Sequence, residues 1–191
     1  MKTLVFATNN KHKLEEVQAM IGDKFRLKTP EEIGCFDDIP ETGITFRENA
    51  SQKSNYLFKN FGVDCFADDS GLEVDALGGE PGVFSARYSG SRDSEKNLDL
   101  VLQKMTGQSN RTARFRCVIS LILDNEEYFF EGTAEGAITT ERNGAEGFGY
   151  DPIFLPDGYT QTFAEMSQEE KNGISHRAKA ISRLVEFLEN K

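Results

Sequence analysis

Strand-like and helix-like runs alternate through the first half of this chain, and a long two-stranded pattern then interrupts them. Alternation of that kind forces parallel strands joined by helical crossovers, while the hairpin adds antiparallel strands to the same sheet. Lys2 to Ala7 reads as a first strand, and Lys11 to Ile21 as a helix with Leu14, Val17 and Ile21 on one face. Thr45-Phe46-Arg47-Glu48 is a capping-box pattern that opens a helix reaching to about Asn60. Val63 to Ala67 reads as a buried strand, Ser70-Gly71 as a turn, and Leu72 to Leu77 as a second short strand. The loop Gly78-Gly79-Glu80-Pro81-Gly82 closes that segment. Asp93 or Ser94 caps a helix running to Met105. Thr112 to Leu123 and Glu127 to Thr139 read as paired long strands joined at Asp124-Asn125, a hairpin signal. Ser175 to Leu188 ends the chain as an amphipathic helix with Ala178, Ile181, Val185 and Leu188 inward. With no repeat, linker or low-complexity stretch, residues 1–191 are expected to form a single α/β domain around a mixed sheet.

The formal charge of −10 argues against binding nucleic acid through its backbone, which needs a basic face. It does not exclude a polyphosphate ligand, because a few lysines and a divalent cation can neutralise one locally. Hydrophobic residues make up only 38% of the chain, but 15 of them are Phe, which supply much of the core volume. Cys35, Cys65 and Cys117 are odd in number and widely spaced, and they read as reduced packing residues without metal-ligand spacing. The apolar run Leu4 to Ala7 is too short for a signal segment, and no stretch approaches membrane-spanning length. A soluble, cytoplasmic chain with no membrane partner is the expectation.

The residues able to carry chemistry fall into five groups. Asp68 and Asp69, in Phe66-Ala67-Asp68-Asp69-Ser70-Gly71-Leu72, are placed at a strand's end, where carboxylates can hold Mg²⁺ or take a proton from water. Asp, Ser and Gly are also ordinary turn residues. Thr8-Asn9-Asn10-Lys11-His12-Lys13 lies between strand and helix, where backbone N–H groups and the helix dipole suit phosphate. Thr8 and Asn10 can add hydrogen bonds and Lys13 charge; a plain capped turn with solvated lysines is the alternative. Lys53 falls on the stripe formed by Phe46, Ala50, Leu57 and Phe61, so it must snorkel or meet an anionic partner. Glu41, in Pro40-Glu41-Thr42-Gly43, is either an exposed acid or a metal ligand.

Gly144 to Pro152 sets three glycines around Phe148, a backbone that can approach a flat ligand while the ring stacks on it. Asp151 can accept from ring N–H groups there, and Phe148 and Tyr150 can equally plug the core. Lys171 and Ser175-His176-Arg177 form the last group. A His-Arg pair at a helix start opposes the dipole, which makes sense if an anion or a carbonyl-rich base docks against it. A solvated helix start is the other reading.

Taken in order, Thr8 to Lys13, Glu41-Thr42-Gly43 with Phe46, Glu48-Asn49-Ala50, Lys53, Ala67 to Leu72, Gly78-Gly79 with Pro81-Gly82, Ser85-Ala86-Arg87-Tyr88, Gly147 to Pro152 and Ser175-His176-Arg177 resemble the inosine triphosphate pyrophosphatase family nearly end to end. The resemblance implies an elongated, mixed central sheet flanked by helices, two lobes with the active-site cleft between them, and a homodimer. It implies Mg²⁺-dependent hydrolysis of non-standard purine nucleoside triphosphates (ITP, dITP, XTP) to the monophosphate and pyrophosphate. Family members often carry Gly where this chain has Asn9, and a small residue where it has His12; Asn tolerates the left-handed conformation that Gly would supply.

On that resemblance, Thr8, Asn9, Asn10, Lys11, His12, Lys13 and Lys53 hold the triphosphate, with Lys171 assisting. Glu41 and Asp69 place Mg²⁺, and Asp69 is also the base. Ser70, Phe148, Gly149, Tyr150, Asp151, His176 and Arg177 complete the substrate site, with Phe148 stacked on the base and Asp151, His176 and Arg177 reading its edge. Two alternatives stand beside this: a nucleotide-binding regulator without turnover, and a pyrophosphatase for pyrimidine or modified nucleotides like those of the Maf family.

Overall fold

The computed structural model describes residues 2–191. Its strands are β1 (Lys2–Phe6), β2 (Phe25–Lys28), β3 (Cys65–Val74), β4 (Thr112–Leu123), β5 (Glu126–Ile138) and β6 (Phe154–Pro156). They form one six-stranded sheet in the order β2-β1-β3-β4-β5-β6. β1 pairs in parallel with both β2 and β3, whereas β5 and β6 are antiparallel, so the sheet is mixed. The helices are α1 (Lys11–Ile21), α2 (Phe46–Phe61), α3 (Ser94–Lys104), α4 (Gln168–Ile174) and α5 (His176–Glu189).

Two compact units divide the chain. The first comprises the chain up to Asp69 with Cys117–Gly132 and Ala178–Lys191; the second comprises Ser70–Arg116 and Thr133–Arg177. In the first unit the period-two alternation of β1 feeds two separate cores. Leu4 and Phe6 join Val17, Ile21, Phe66, Ile119, Leu121, Ile181 and Leu184, whereas Val5 and Ala7 join Leu57, Cys65, Ala67 and Ile122. A strand buried on both faces reads as a continuous apolar run, which is what β1 shows. Phe6 and Phe66 stack at 4.5 Å between ring centroids. In the second unit Leu72, Val74, Leu98, Val101, Met105, Phe115, Phe154 and Phe163 form one core.

Local rules explain most boundaries. Asn10 caps α1 through its side chain, Thr45 caps α2 and Asp93 caps α3. Glu48 reaches back to the N–H of Ile44 rather than to that of the cap residue, so the capping box at Thr45 is half formed. β4 and β5 are joined by Asp124 and Asn125 at φ values of 53° and 66°, as a tight hairpin with two left-handed residues requires.

Three expectations are corrected. Ser70-Gly71 is not a turn: β3 runs unbroken from Cys65 to Val74, because Leu72 and Val74 both carry apolar side chains into the second unit's core. Residues 75–77, assigned to a strand, form a short 3-10 turn instead. Asn9 does not take the left-handed conformation that Gly would supply, since Asp124 and Asn125 are the two non-glycine residues with positive φ among those described.

Candidate active site

Asp68 and Asp69 lie inside β3, yet the register keeps the chemistry expected of a strand end. β1 pairs with β3 only as far as Phe6 with Phe66, so both acids lie past the carboxyl end of the neighbouring parallel strand. Residues in that position on an open parallel sheet are well placed for ligand. Both are buried, at 1% and 8% exposure, so each charge needs a partner.

The partners come from the loop after β1 and from α2. Lys13, in the first turn of α1, places Nζ 3.2 Å from Asp68 Oδ1 and 3.1 Å from Oδ2. Lys53, on the buried stripe of α2, donates to the Asp68 carbonyl at 2.6 Å and forms an ion pair with Glu41. Lys53 therefore meets an anionic partner rather than snorkelling. Burial opposes its charge, but Asp68, Glu41 and Asp69 outweigh that and hold the ammonium above its ordinary value. Burial likewise works to raise Glu41, and Lys53 more than offsets it, so that carboxyl is lowered. At Asp69 burial prevails over Lys53 and Lys13, and the carboxyl is pushed up to about 6. A buried acid poised there can take a proton near neutral pH.

The loop after β1 is organised as a helix start. Thr8 Oγ1 accepts from the N–H of Asn10 at 3.1 Å, and Asn10 Oδ1 accepts from the N–H groups of His12 and Lys13. The Thr8 and Asn10 oxygens, expected to reach a ligand, are turned onto backbone instead. Asn9, Asn10, Lys11 and His12 are exposed, so this loop offers polar groups to solvent.

Sequence reasoning placed Asn49 only within Glu48-Asn49-Ala50 and gave it no role. It is 1% exposed, and its Nδ2 donates to Asp69 Oδ2 at 3.0 Å. The stripe that singled out Lys53 would have found it, because Asn49 lies three residues after Phe46 on the same buried face.

A second cluster sits in the second unit. Asp151, 3% exposed, accepts from the N–H of Phe148 at 3.1 Å and from Lys171 Nζ at 2.9 Å through the same oxygen, Oδ2. Lys171 also lies 4.8 Å from the centroid of the half-buried Phe148 ring, a cation–π distance. Lys171, assigned to the triphosphate on sequence grounds, is thus seated with Asp151 and Phe148. His176 stacks on Phe115 at 4.8 Å, and Arg177 Nη2 donates to Ser70 Oγ at 3.2 Å while its guanidinium lies 5.7 Å from the Phe148 ring. Tyr150 belongs to the core, its hydroxyl donating to the Ser85 carbonyl at 2.6 Å. Gly149 adjoins it in the loop, half-buried with a positive φ of 62°.

No three His, Cys, Asp or Glu side chains among the described residues gather closely enough to hold a metal by themselves. Glu41 and Asp69 nonetheless offer hard carboxylate oxygens, the donor type Mg²⁺ selects, and Mg²⁺ commonly takes only one or two carboxylates alongside phosphate and water. The donor chemistry fits.

Fold and site together define a mixed α/β protein with a lysine-and-carboxylate cluster beyond a parallel strand end and an aromatic, basic cluster in its second unit. The Ham1 family model matches residues 4–187, and the chain belongs to that family. A dITP/XTP pyrophosphatase of Flavobacterium psychrophilum is 49% identical over 188 residues, covering 98% of this chain and 99% of that protein. One from Halalkalibacterium halodurans is 46% identical, covering 99% of this chain and all of the other. Among solved structures, the Ham1 protein of Staphylococcus aureus superposes with a TM-score of 0.92 at 42% identity, over 99% of each chain. A HAM1 protein from Coxiella burnetii gives 0.93 at 38% identity over the full length of both.

Proposed function

We propose that this chain is a nucleoside-triphosphate pyrophosphatase that hydrolyses non-standard purine nucleotides, dITP, ITP and XTP, to the monophosphate and pyrophosphate. The observation that carries the reading is the grouping of Asp69 with Lys13, Lys53 and Glu41 beyond the end of β1, in a member of the Ham1 family. Residues 1–191 act as one functional domain.

Lys13 and Lys53 hold the triphosphate, together with the Thr8–Lys13 loop. Both side-chain nitrogens are already fixed near carboxylate oxygens, so they are positioned before the ligand arrives. Asp69 is the catalytic residue: its carboxylate removes a proton from water as the water oxygen bonds to the α-phosphorus. The bond from that phosphorus to the bridging oxygen of the β-phosphate breaks, and pyrophosphate leaves with the bonding pair. Glu41 and Asp69 would hold Mg²⁺, which when bound would supply positive charge to offset that of the phosphates.

Phe148 stacks on the purine, while Asp151, His176 and Arg177 read its edge, with Ser70, Gly149, Tyr150 and Lys171 shaping that part of the site. His176 and Arg177 supply donors that suit the 6-keto oxygen of hypoxanthine and xanthine. Adenine sets an amino donor against them, and buried donors left unpaired can cost a factor of ~10⁴ in kcat/KM. The protein acts as a homodimer in the cytoplasm and binds neither nucleic acid nor membrane; no helix of the described residues is long and apolar enough to cross a membrane.

Pyrophosphate release across ITP, dITP, XTP, GTP and ATP, with and without Mg²⁺, tests the reading. Mg²⁺-dependent turnover with ITP and XTP far above ATP is expected. Equal kcat/KM for ITP and ATP would remove the base-reading role of His176 and Arg177.

A further inference from the structure

Helix α2 clamps the loop that carries Glu41. Gln52 Oε1 accepts from the N–H of Thr42 at 2.8 Å, Glu48 Oε2 from the N–H of Ile44 at 2.7 Å, and Asn49 Oδ1 from the N–H of Gly43 at 2.7 Å. Of these three side chains Asn49 alone also bonds an acid of the site, through Nδ2 to Asp69 Oδ2 at 3.0 Å. Its orientation is fixed by its neighbours. A backbone N–H can only donate, so the amide oxygen must face Gly43 and the NH₂ group must face Asp69.

Space enforces the same arrangement. A Cβ on Gly43 would lie 2.8 Å from Asn49 Oδ1 and 2.6 Å from Glu48 Cβ, so the absence of a side chain at Gly43 is what lets the loop approach the amide. Asn is the side chain that offers a donor and an acceptor at this reach. Asp lacks the donor, and Gln sets the amide one methylene further out.

We propose that Asn49 is a positioning residue that holds the Asp69 carboxylate in register with the Glu41 loop, so that both acids present their oxygens as one prearranged set. This rests on the reading of Asp69 and Glu41 as the acids that serve water and Mg²⁺. A carboxylate fixed by one oxygen keeps the other directed, and partners of this kind govern both metal affinity and turnover. Asn49 touches no reacting atom; it acts through Asp69.

Asn49→Ala, Gly43→Ala and Asp69→Asn, measured side by side with wild type, test the proposal. Two readouts are needed: steady-state kinetics with ITP, and Mn²⁺ binding to the nucleotide-free protein by electron paramagnetic resonance. Asn49→Ala is expected to lower kcat and weaken Mn²⁺ binding by roughly 10- to 100-fold each, the usual range for such partners. The KM for ITP should stay within about threefold of wild type, since the lysines and base-side residues are untouched. Gly43→Ala keeps Asn49 but displaces its amide, and it should shift both readouts in the same direction. It decides the matter if Asn49→Ala does not fold. Wild-type kcat and Mn²⁺ affinity in a folded Asn49→Ala or Gly43→Ala protein would overturn the proposal, as would losses that merely follow a lowered melting temperature. Should Asp69→Asn itself keep wild-type turnover, the functional reading fails; should it alone be impaired, only the role of Asn49 fails.

Discussion

At the scale of single residues, the burial of Asp69 is what links stability to chemistry. Burial raises its carboxyl from the ordinary 3.8 to about 6. Between those two values the folded protein keeps a proton that the unfolded chain has released, so stability falls as pH rises through that window. Above it the ionised, buried carboxylate carries its full penalty, on the order of 3 kcal/mol. In the metal-free protein Asp69→Asn is therefore expected to melt higher than wild type at neutral pH. The gain should vanish below about pH 4, where Asp69 is protonated in both states. On the proposed reading the same substitution removes the base and a metal ligand, so turnover should drop well over tenfold, a barrier change above ~1.4 kcal/mol. Thermal melts across pH, paired with kcat, check both halves. A variant that is no more stable at neutral pH, or that keeps more than about a tenth of kcat, removes Asp69 from this role.

Individual elements show how far patterning carries and where it stops. The bounds of α1 and β4 were legible because each carries an apolar pattern long enough to show itself, with the Asp124-Asn125 hairpin signal marking where β4 ends. β2 and β6 were not legible, because four and three residues are too few to display a period. α4 was hidden for a similar reason: its seven residues bury Lys171 and no apolar stripe, and the capping box at Ser167 and Glu170 was its one local signal. The Ser70-Gly71 turn was wrong because local turn chemistry yields to a strand whose two ends are both buried in cores. In the site, Lys53 was legible as a charge on an inward stripe, and Asp68 and Asp69 as adjacent acids closing an apolar run. Which lysine meets which acid was not, because those pairs join residues far apart in the chain, such as Lys13 with Asp68. The loop 144–151 gives the test at this scale. Gly147 has φ of 74°, and a Cβ there would lie 2.2 Å from Asp151 Oδ2, the oxygen that holds Lys171 and the Phe148 N–H. Gly147→Ala must displace that carboxylate and the Phe148 ring with it. The KM for ITP should rise by about tenfold or more, as expected when a stacking surface worth ~1–3 kcal/mol is misplaced. Melting temperature should fall as well, because the left-handed φ strains Ala and the buried Asp151–Lys171 pair is displaced; an unchanged KM would make the loop a mere connector.

Across the whole molecule, the chemistry divides between the two units. The first unit holds Lys13, Lys53, Glu41, Asp68 and Asp69, and the second holds Phe148, Asp151, Lys171, His176 and Arg177. Charge explains the division. Lysine and carboxylate groups suit a polyanion and its cation, whereas an aromatic ring flanked by buried cations and one acid suits a flat, polar base. Asp69 and Ser70 are consecutive residues of β3, yet each is bonded within its own unit, Asp69 to Asn49 and Ser70 to Arg177. Two partial ligands should therefore report on different residues. Amide resonances of the intact, metal-free protein, followed by nuclear magnetic resonance, provide the readout. Tripolyphosphate is expected to shift Asn10, Lys13 and Lys53, and inosine to shift Phe148, Gly149 and Asp151, with little overlap. Lys171 decides between its two assignments. Seated on Asp151 and beside Phe148, it should respond to inosine; a response to tripolyphosphate alone would return it to the triphosphate, where the sequence had placed it.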